Sequence, residues 1–257
     1  MINLTNKIIV ITGAGGLIGS YLSRKLDKAG CKLILFDNDK KKLTSLRKKV
    51  SKNSFIIECD LRNKSKIIFF CNLIKKKYKK IDVLIHSASP VGTSNLEGWN
   101  TEFKKQKIEN WETSYNLNVT SLFFLVQNLH SLLLKSKSAS IINFGSIYSE
   151  CSPKNNIYRN TKIFNPAGYS CSKSASLYLT KWLASTLGPK IRCNMISPGG
   201  LKGIQEELFI KKYSEVIPLK RMTNLDDLIG PVIFLSSEMS KYVTGQNLFV
   251  DGGFSIK

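Results

Sequence analysis

Lys7-Ile8-Ile9-Val10-Ile11-Thr12-Gly13-Ala14-Gly15-Gly16-Leu17-Ile18-Gly19 is the stretch whose reading decides the fold. An apolar, β-branched run from Lys7 to Ile11 reads as a strand, and an apolar-periodic segment from Leu17 to Ala29 reads as a helix. Between them lies a turn with almost no side chains. Such a turn lets backbone N–H groups approach a phosphate-bearing ligand while the helix directs its positive end at it. Glycine alone is weak evidence, because tight turns need it anyway. The following apolar run, Lys32 to Phe36, strengthens the signal by ending in Asp37, 24 positions after Gly13.

The same alternation continues outward. Ser54 to Glu58, Ile81 to Ile85, Ser140 to Phe144, Ile191 to Ile196 and Leu248 to Val250 read as further strands, seven in all, separated by helix-length segments such as Lys107 to Leu134. The strands are apolar runs more than alternating ones, as burial on both faces requires. The expected fold is therefore α/β: a doubly wound, seven-stranded parallel sheet in a single domain spanning residues 1–257. Three long irregular segments, Ser87 to Gln106, Ser146 to Pro166 and Pro198 to about Ile217, all begin at strand C-termini. That is the edge where open α/β sheets bind ligands.

The formal charge of +21 raises a polyanion partner. Its distribution argues otherwise. The 39 basic residues comprise 33 Lys and only 6 Arg, and residues 1–107 carry +15 of the excess. The runs Lys40 to Lys42, Lys48-Lys49, Lys75 to Lys77 and Lys79-Lys80 fall where solvated helix faces are expected, without the Arg and interleaved aromatics of nucleic-acid surfaces. No nucleic-acid and no membrane partner is expected. Leu117 to Leu134, the most apolar stretch, is interrupted by seven polar residues and reads as a buried helix. Met1 to Lys7 has no signal-peptide pattern, and six scattered cysteines with only His86 and His130 give no metal site, so free thiols in a reducing cytoplasm are expected.

A carboxylate at Asp37 can accept hydrogen bonds from the 2′- and 3′-hydroxyls of an adenosine ribose and would repel a 2′-phosphate. NAD is favoured on this ground. Asp39 competes for the role, and Lys40 to Lys42 keep NADP open. Asp60-Leu61, after the third strand, either contacts the adenine or caps the next helix. Farther on, Tyr169 and Lys173 stand four apart at the start of a helical pattern, so one turn brings them to one face. An ammonium beside a phenol favours the phenolate, which suits general acid/base work. Ser146 ends the fifth strand, with Ser149 as an alternative.

In this combination the sequence resembles the short-chain dehydrogenase/reductase family, with its Rossmann-type fold, over nearly its whole length. The matching pieces are the turn Gly13, Gly15, Gly16, Leu17, Ile18, Gly19, then Asp60-Leu61, Asn118, Ser146, Tyr169 with Lys173, Ser197-Pro198-Gly199, and Val243-Thr244-Gly245-Gln246 through Val250-Asp251-Gly252-Gly253. The resemblance implies an NAD(P)-dependent oxidoreductase of one small-molecule substrate, assembled as a homo-oligomer. It implies that Tyr169 exchanges a proton with the substrate oxygen and that Lys173 holds the nicotinamide ribose and tunes Tyr169. It further implies that Ser146 polarises the carbonyl, that Asn118 holds a relay water, and that Ala88, Pro198 and Gly199 border the cofactor. Four departures stand out. His86-Ser87-Ala88-Ser89 replaces the family's Asn-Asn-Ala-Gly, Leu17 replaces a motif glycine, Gly200-Leu201 stands where a Thr is usual, and Ser146 and Tyr169 lie 23 residues apart, farther than is common. For His86 a buried, hydrogen-bonded role is expected.

The long loop, Asn165-Pro166, Ser197-Pro198-Gly199-Gly200 and the ending from Val243 to Phe254 resemble a narrower branch, the oxidoreductases of flagellin-modification and nonulosonic-sugar clusters. That branch implies a sugar, sugar phosphate or nucleotide sugar, with Lys154, Lys162 and Lys202 as candidates for attracting phosphate. The alternatives are a 3-oxoacyl thioester reductase and a nicotinamide-binding protein without turnover.

Overall fold

The computed structural model describes residues 4–91, 94, 96–203 and 205–256. Each apolar run forms a strand within two residues of its expected bounds: β1 Ile8–Thr12, β2 Lys32–Asp37, β3 Phe55–Glu58, β4 Val83–His86, β5 Ala139–Phe144, β6 Ile191–Pro198 and β7 Asn247–Val250. The helices are α1 Leu17–Lys28, α2 Lys40–Arg47, α3 Lys64–Lys77, α4 Ile108–Tyr115, α5 Ser121–Leu133, α6 Asn155–Tyr158, α7 Ala167–Leu187, α8 Glu207–Val216 and α9 Asp226–Ser236. All strand pairs are parallel, in the order β3-β2-β1-β4-β5-β6-β7. The order reverses beside β1, which pairs with β2 on one side and β4 on the other. This is the Rossmann-type, single-domain α/β fold, and its switch point is where such sheets hold ligands.

Alternate residues of each strand face opposite layers, as the twofold side-chain period demands. Val10, Ile34, Phe36, Leu84 and Ile141 pack with α3, α5 and α7. Ile9, Ile11, Leu33, Leu35, Ile85 and Phe144 pack with α1 and α9. A third cluster lies outside the sheet: Ile147, Tyr148 and Ile157 of the segment after β5 pack with Phe209 and Tyr213 of α8 and with Phe254. The long helical segment expected from Lys107 to Leu134 is not one α-helix. A π-helical turn, Asn116–Thr120, separates α4 from α5. Among the described residues no helix is long and apolar enough to cross a membrane.

Candidate active site

The chain leaves β1 through Gly13, whose φ of +64° suits glycine, and a Cβ there would lie 2.8 Å from the Ala88 backbone. The turns after β1 and β4 are thereby brought into backbone contact at the switch point. Gly19 is equally constrained: its Cβ would stand 2.1 Å from the Gly13 carbonyl oxygen, so glycine lets α1 start against the turn. Gly16 is the N-cap of α1 and supplies no side-chain cap, and the first turn holds no acidic residue. Free N–H groups and the positive end of the helix are left for an anion. Leu17, the departure from the family motif, opens α1 and is 56% exposed; Ile18, beside it, is half-buried.

Asp37 ends β2 beside this turn. Its Oδ2 accepts from Gly15 N and its Oδ1 from Asp39 N, each at 2.9 Å, which fixes the carboxylate and leaves further lone pairs. Asp39 is occupied differently. It caps α2 by accepting from Lys42 N at 3.0 Å, and that backbone hydrogen bond holds its carboxyl below the usual range. Of the two candidates, Asp37 faces the glycine turn. Asp60 does not cap α3, because Asn63 does. Its carboxylate instead takes both Nε and Nη2 of Arg62, the nearer at 2.7 Å, and this side-chain pairing lowers its pKa. Leu61 is a core residue of the layer against which Ala88 packs.

His86 ends β4 in the interior. Its Nε2–H donates to the Leu117 carbonyl at 2.9 Å and its Nδ1 accepts from the Thr12 hydroxyl at 2.9 Å. Burial pushes its pKa down to about 4, so it is a neutral strut, as expected. Thr12 Oγ1 also accepts from Ser87 N and Ala88 N at 3.2 and 3.3 Å. This junction joins the ends of β1 and β4 to the π-helical turn. That turn carries Asn118, which is 1% exposed and donates through Nδ2 to Ser172 Oγ at 2.8 Å on α7. Its Oδ1 has no protein partner. π-Helical turns are frequent at functional sites because they displace single residues from the helical ladder.

Ser146 follows β5 and N-caps a short 3₁₀ turn, Ile147–Ser149, accepting from Tyr148 N at 3.2 Å. Its hydroxyl also pulls the pKa of the Tyr169 phenol down. Ser149 is committed to the backbone, accepting from Ser146 N at 3.2 Å. One turn beyond Tyr169, the buried Lys173 donates from Nζ to the Phe144 carbonyl at 2.7 Å and lies 5.8 Å from the Tyr169 ring centre. Two of the three ammonium protons remain free of that bond. The expected lowering of Tyr169 by Lys173 is not found. Burial raises the Tyr169 phenol and outweighs the opposing pull of Ser146, while burial also depresses Lys173 to about 7. A lysine whose own charge is disfavoured is a weak source of positive potential.

Pro198 ends β6, and Gly199 follows in a tight site: a Cβ there would stand 2.8 Å from Thr223 Oγ1. Where the family has Thr, Gly200 donates its N–H to the Tyr213 hydroxyl at 2.5 Å. The tyrosine ring crosses this glycine, 2.8 Å from where its Cβ would be. Of the candidate phosphate-attracting lysines, Lys154 donates to the Phe254 carbonyl at 3.2 Å and covers its ring, whereas Lys202 is exposed. The buried Trp99 meets the Tyr169 ring edge-on, with centres 6.5 Å apart, and its indole N–H holds the Val91 carbonyl at 2.7 Å. Trp99 carries no sequence pattern that marks it.

A family model described as enoyl-(acyl carrier protein) reductase matches residues 13–255. Post-translational flagellin modification protein A of Campylobacter coli is 32% identical, covering 98% of this chain and 100% of that protein. The chain belongs to the short-chain dehydrogenase/reductase family. It is accordingly an NAD(P)-dependent oxidoreductase. The 3-oxoacyl-(acyl-carrier-protein) reductase FabG of Buchnera aphidicola is 28% identical, with 97% of this chain and 98% of that one aligned. A short-chain dehydrogenase from Leptospira borgpetersenii, solved with bound NAD+, superposes with a TM-score of 0.84 at 32% identity, covering 98% of this chain and 94% of that structure. In this member of the family, the motif residues gather at the C-terminal edge of the sheet around the β1–β4 switch point.

Proposed function

We propose that the enzyme interconverts a secondary alcohol and a ketone on a sugar, sugar phosphate or nucleotide sugar of surface-glycan biosynthesis, with Tyr169 as general acid/base. The observation that carries the reaction is the buried Lys173 one turn from Tyr169, its Nζ 5.8 Å from the phenol ring centre, with the Ser146 hydroxyl pulling that phenol's pKa down against burial. Tyr169 gives its proton to the substrate oxygen in reduction and takes it back in oxidation. Ser146 holds that oxygen with its O–H, and Lys173 offers its free protons to the nicotinamide ribose. Asn118, whose Oδ1 lacks a protein partner, holds a relay water. The dinucleotide, when bound, supplies or accepts the hydride. The residues present fit it: uncapped N–H groups at α1 for the pyrophosphate, Asp37 for the adenosine ribose, and Ala88 with Pro198-Gly199 along its length.

The carbohydrate reading draws on the likeness to the flagellin modification protein over all of that protein's length. The 28% identity to a 3-oxoacyl reductase favours a second reading, reduction of acyl thioesters. Assaying the purified protein with a panel of UDP-sugars and sugar phosphates against acetoacetyl-CoA separates them. Oxidation of a sugar with no thioester reduction is expected, and the reverse would replace the first reading with the second.

Cofactor choice follows from Asp37. Titration of NADH and NADPH by fluorescence is expected to show tighter NADH binding, by tenfold or more. Asp37→Ser should close most of that gap, because the 2′-phosphate then meets no carboxylate while Lys42 stays nearby. A clear NADPH preference in the unaltered protein would reverse the assignment.

The oligomer has a candidate interface. Ile108 and Trp111 of α4 and Tyr178 and Trp182 of α7 are exposed, the last two by 72% and 47%, and α4 and α7 pack together. Large apolar groups on adjoining helices are expected to be covered by a second copy. Light scattering should give a dimer or tetramer for the native chain and smaller species for Trp182→Glu. A native monomer at micromolar concentration would refute it.

A further inference from the structure

Tyr169 is only the third residue of α7, in the turn that a helix secures least with its own hydrogen bonds. The N-cap is Pro166, which offers no side-chain acceptor, and the first turn carries no acidic residue. Tyr169 N and Ser170 N reach back to the Pro166 carbonyl at 3.1 and 3.3 Å, which leaves Ala167 N to a partner outside the helix. That partner is the half-buried Gln106, in the segment between β4 and α4. Its Oε1 accepts from Ala167 N at 2.9 Å, and its Nε2 donates to the Asn165 carbonyl at 3.4 Å and the Thr101 carbonyl at 3.2 Å. Asn165 in turn accepts, through Oδ1, from Ser170 Oγ at 2.6 Å. One amide thus closes the backbone on both sides of Pro166. Asn100 repeats the pattern earlier in the same stretch, with Oδ1 accepting from Phe164 N at 2.8 Å and Nδ2 donating to the Lys162 carbonyl at 3.3 Å. Trp99, beside Asn100, meets the Tyr169 ring edge-on. Residues 99–106 therefore touch the Tyr169 ring and also hold the backbone from which it springs.

We infer that Gln106 is a positioning residue for Tyr169, holding the first turn of α7 in place from the loop after β4. The inference rests on the reading of Tyr169 as general acid/base. A side-chain amide suits the task, because it presents an acceptor and a donor side by side to an N–H and a C=O two residues apart. Neither oxygen nor nitrogen alone could do both. The neighbouring groups have anchors of their own. Lys173, one turn deeper, is tied to β5 through the Phe144 carbonyl, and Ser146 caps the turn on which it stands. The first turn of α7 is the part of this trio whose place depends on a remote loop. Small displacements there matter, because general acid/base transfer requires the phenol within hydrogen-bond reach of the reacting oxygen.

The test compares the native protein with Gln106→Met, which keeps the length of the side chain and removes both its donor and its acceptor. Turnover is read on the member of the UDP-sugar, sugar phosphate and acetoacetyl-CoA panel that the native enzyme handles fastest, and NADH binding is read by fluorescence. kcat should fall about tenfold. The fall stops short of the roughly hundredfold that a misplacement of about 1 Å can cost, because α4 still backs this turn, where a Cβ on Gly168 would stand 2.8 Å from Trp111 Cα. The NADH dissociation constant should stay within about twofold, since the glycine turn and Asp37 are untouched. In a Tyr169→Phe background the same substitution should cost no further activity, because a residue that acts through the phenol then has nothing to position. Gln106→Asn, a gentler change one methylene too short to span both partners, should follow the Met variant and gives the reading if the Met variant does not fold. Native kcat in the folded variant, or an equal fall with and without the Tyr169 hydroxyl, overturns this inference and leaves the assignment of Tyr169 standing. A native enzyme inactive on the whole panel, or full activity in Tyr169→Phe, overturns the reading beneath it as well.

Discussion

Tyr169→Phe is expected to lower kcat at least a thousandfold while NADH affinity stays within about threefold of the native value. The substitution removes one oxygen and little else. Phe retains the edge-on contact with Trp99 and the packing against the third cluster, so helix α7 has no reason to move. The Ser146 hydroxyl keeps the bond from Tyr148 N that caps its turn. What disappears is the phenol proton that the proposed mechanism hands to the substrate oxygen. Because burial holds this phenol above its ordinary pKa, the native enzyme at neutral pH presents it protonated, ready for the reductive direction. Oxidation requires the phenolate, so its rate should climb with pH more steeply than reduction does. Single-turnover fluorescence separates binding from chemistry. Native kcat in Tyr169→Phe would remove Tyr169 from the mechanism.

Much of this arrangement was legible in the sequence because it is written in local terms. The strand from Ile8 to Thr12 and its glycine turn follow from β-branched residues meeting a run without side chains, and Tyr169 with Lys173 follows from helical spacing. The π-helical turn was not legible. It shifts the register by one residue within an apolar segment, too little to disturb the periodicity on either side. Of the two roles open to Asp60, the cap of α3 falls to Asn63, because Arg62, two residues on, takes the Asp60 carboxylate. The paired hydroxyls of Tyr148 and Tyr158 had no signal at all, since only the folded loop brings these two phenols together. The sign of the Tyr169 shift was missed because helical spacing reports neighbours and says nothing of how deeply both groups are buried.

Lys173→Met should abolish most activity without loosening the fold. Turnover is expected to fall a hundredfold or more, because no other ammonium stands one turn from Tyr169 to engage a ribose there. Stability should move the other way. Lys173 is buried, its single protein hydrogen bond goes to the Phe144 carbonyl, and desolvation brings its pKa from 10.5 down to about 7. Between those two values the unfolded chain binds a proton that the folded chain does not, so stability rises with pH across that window and is lost as pH falls towards 7. Below about pH 7 the lysine is protonated in both states and the full cost is present. At one pKa unit for about 1.4 kcal/mol, that cost is on the order of a few kcal/mol. Methionine fills similar volume without a charge to desolvate, but it leaves the Phe144 carbonyl without this donor, an opposing loss of roughly 1–3 kcal/mol. The two nearly offset at neutral pH, with the charge term larger. Thermal melts of both proteins from pH 6 to 10 test this directly. The Met variant should melt at or above the native temperature near pH 7 and lose that advantage towards pH 10, as the native curve gains its stability. A difference in Tm that does not change with pH would mean that Lys173 is charged throughout, held by a partner stronger than one carbonyl.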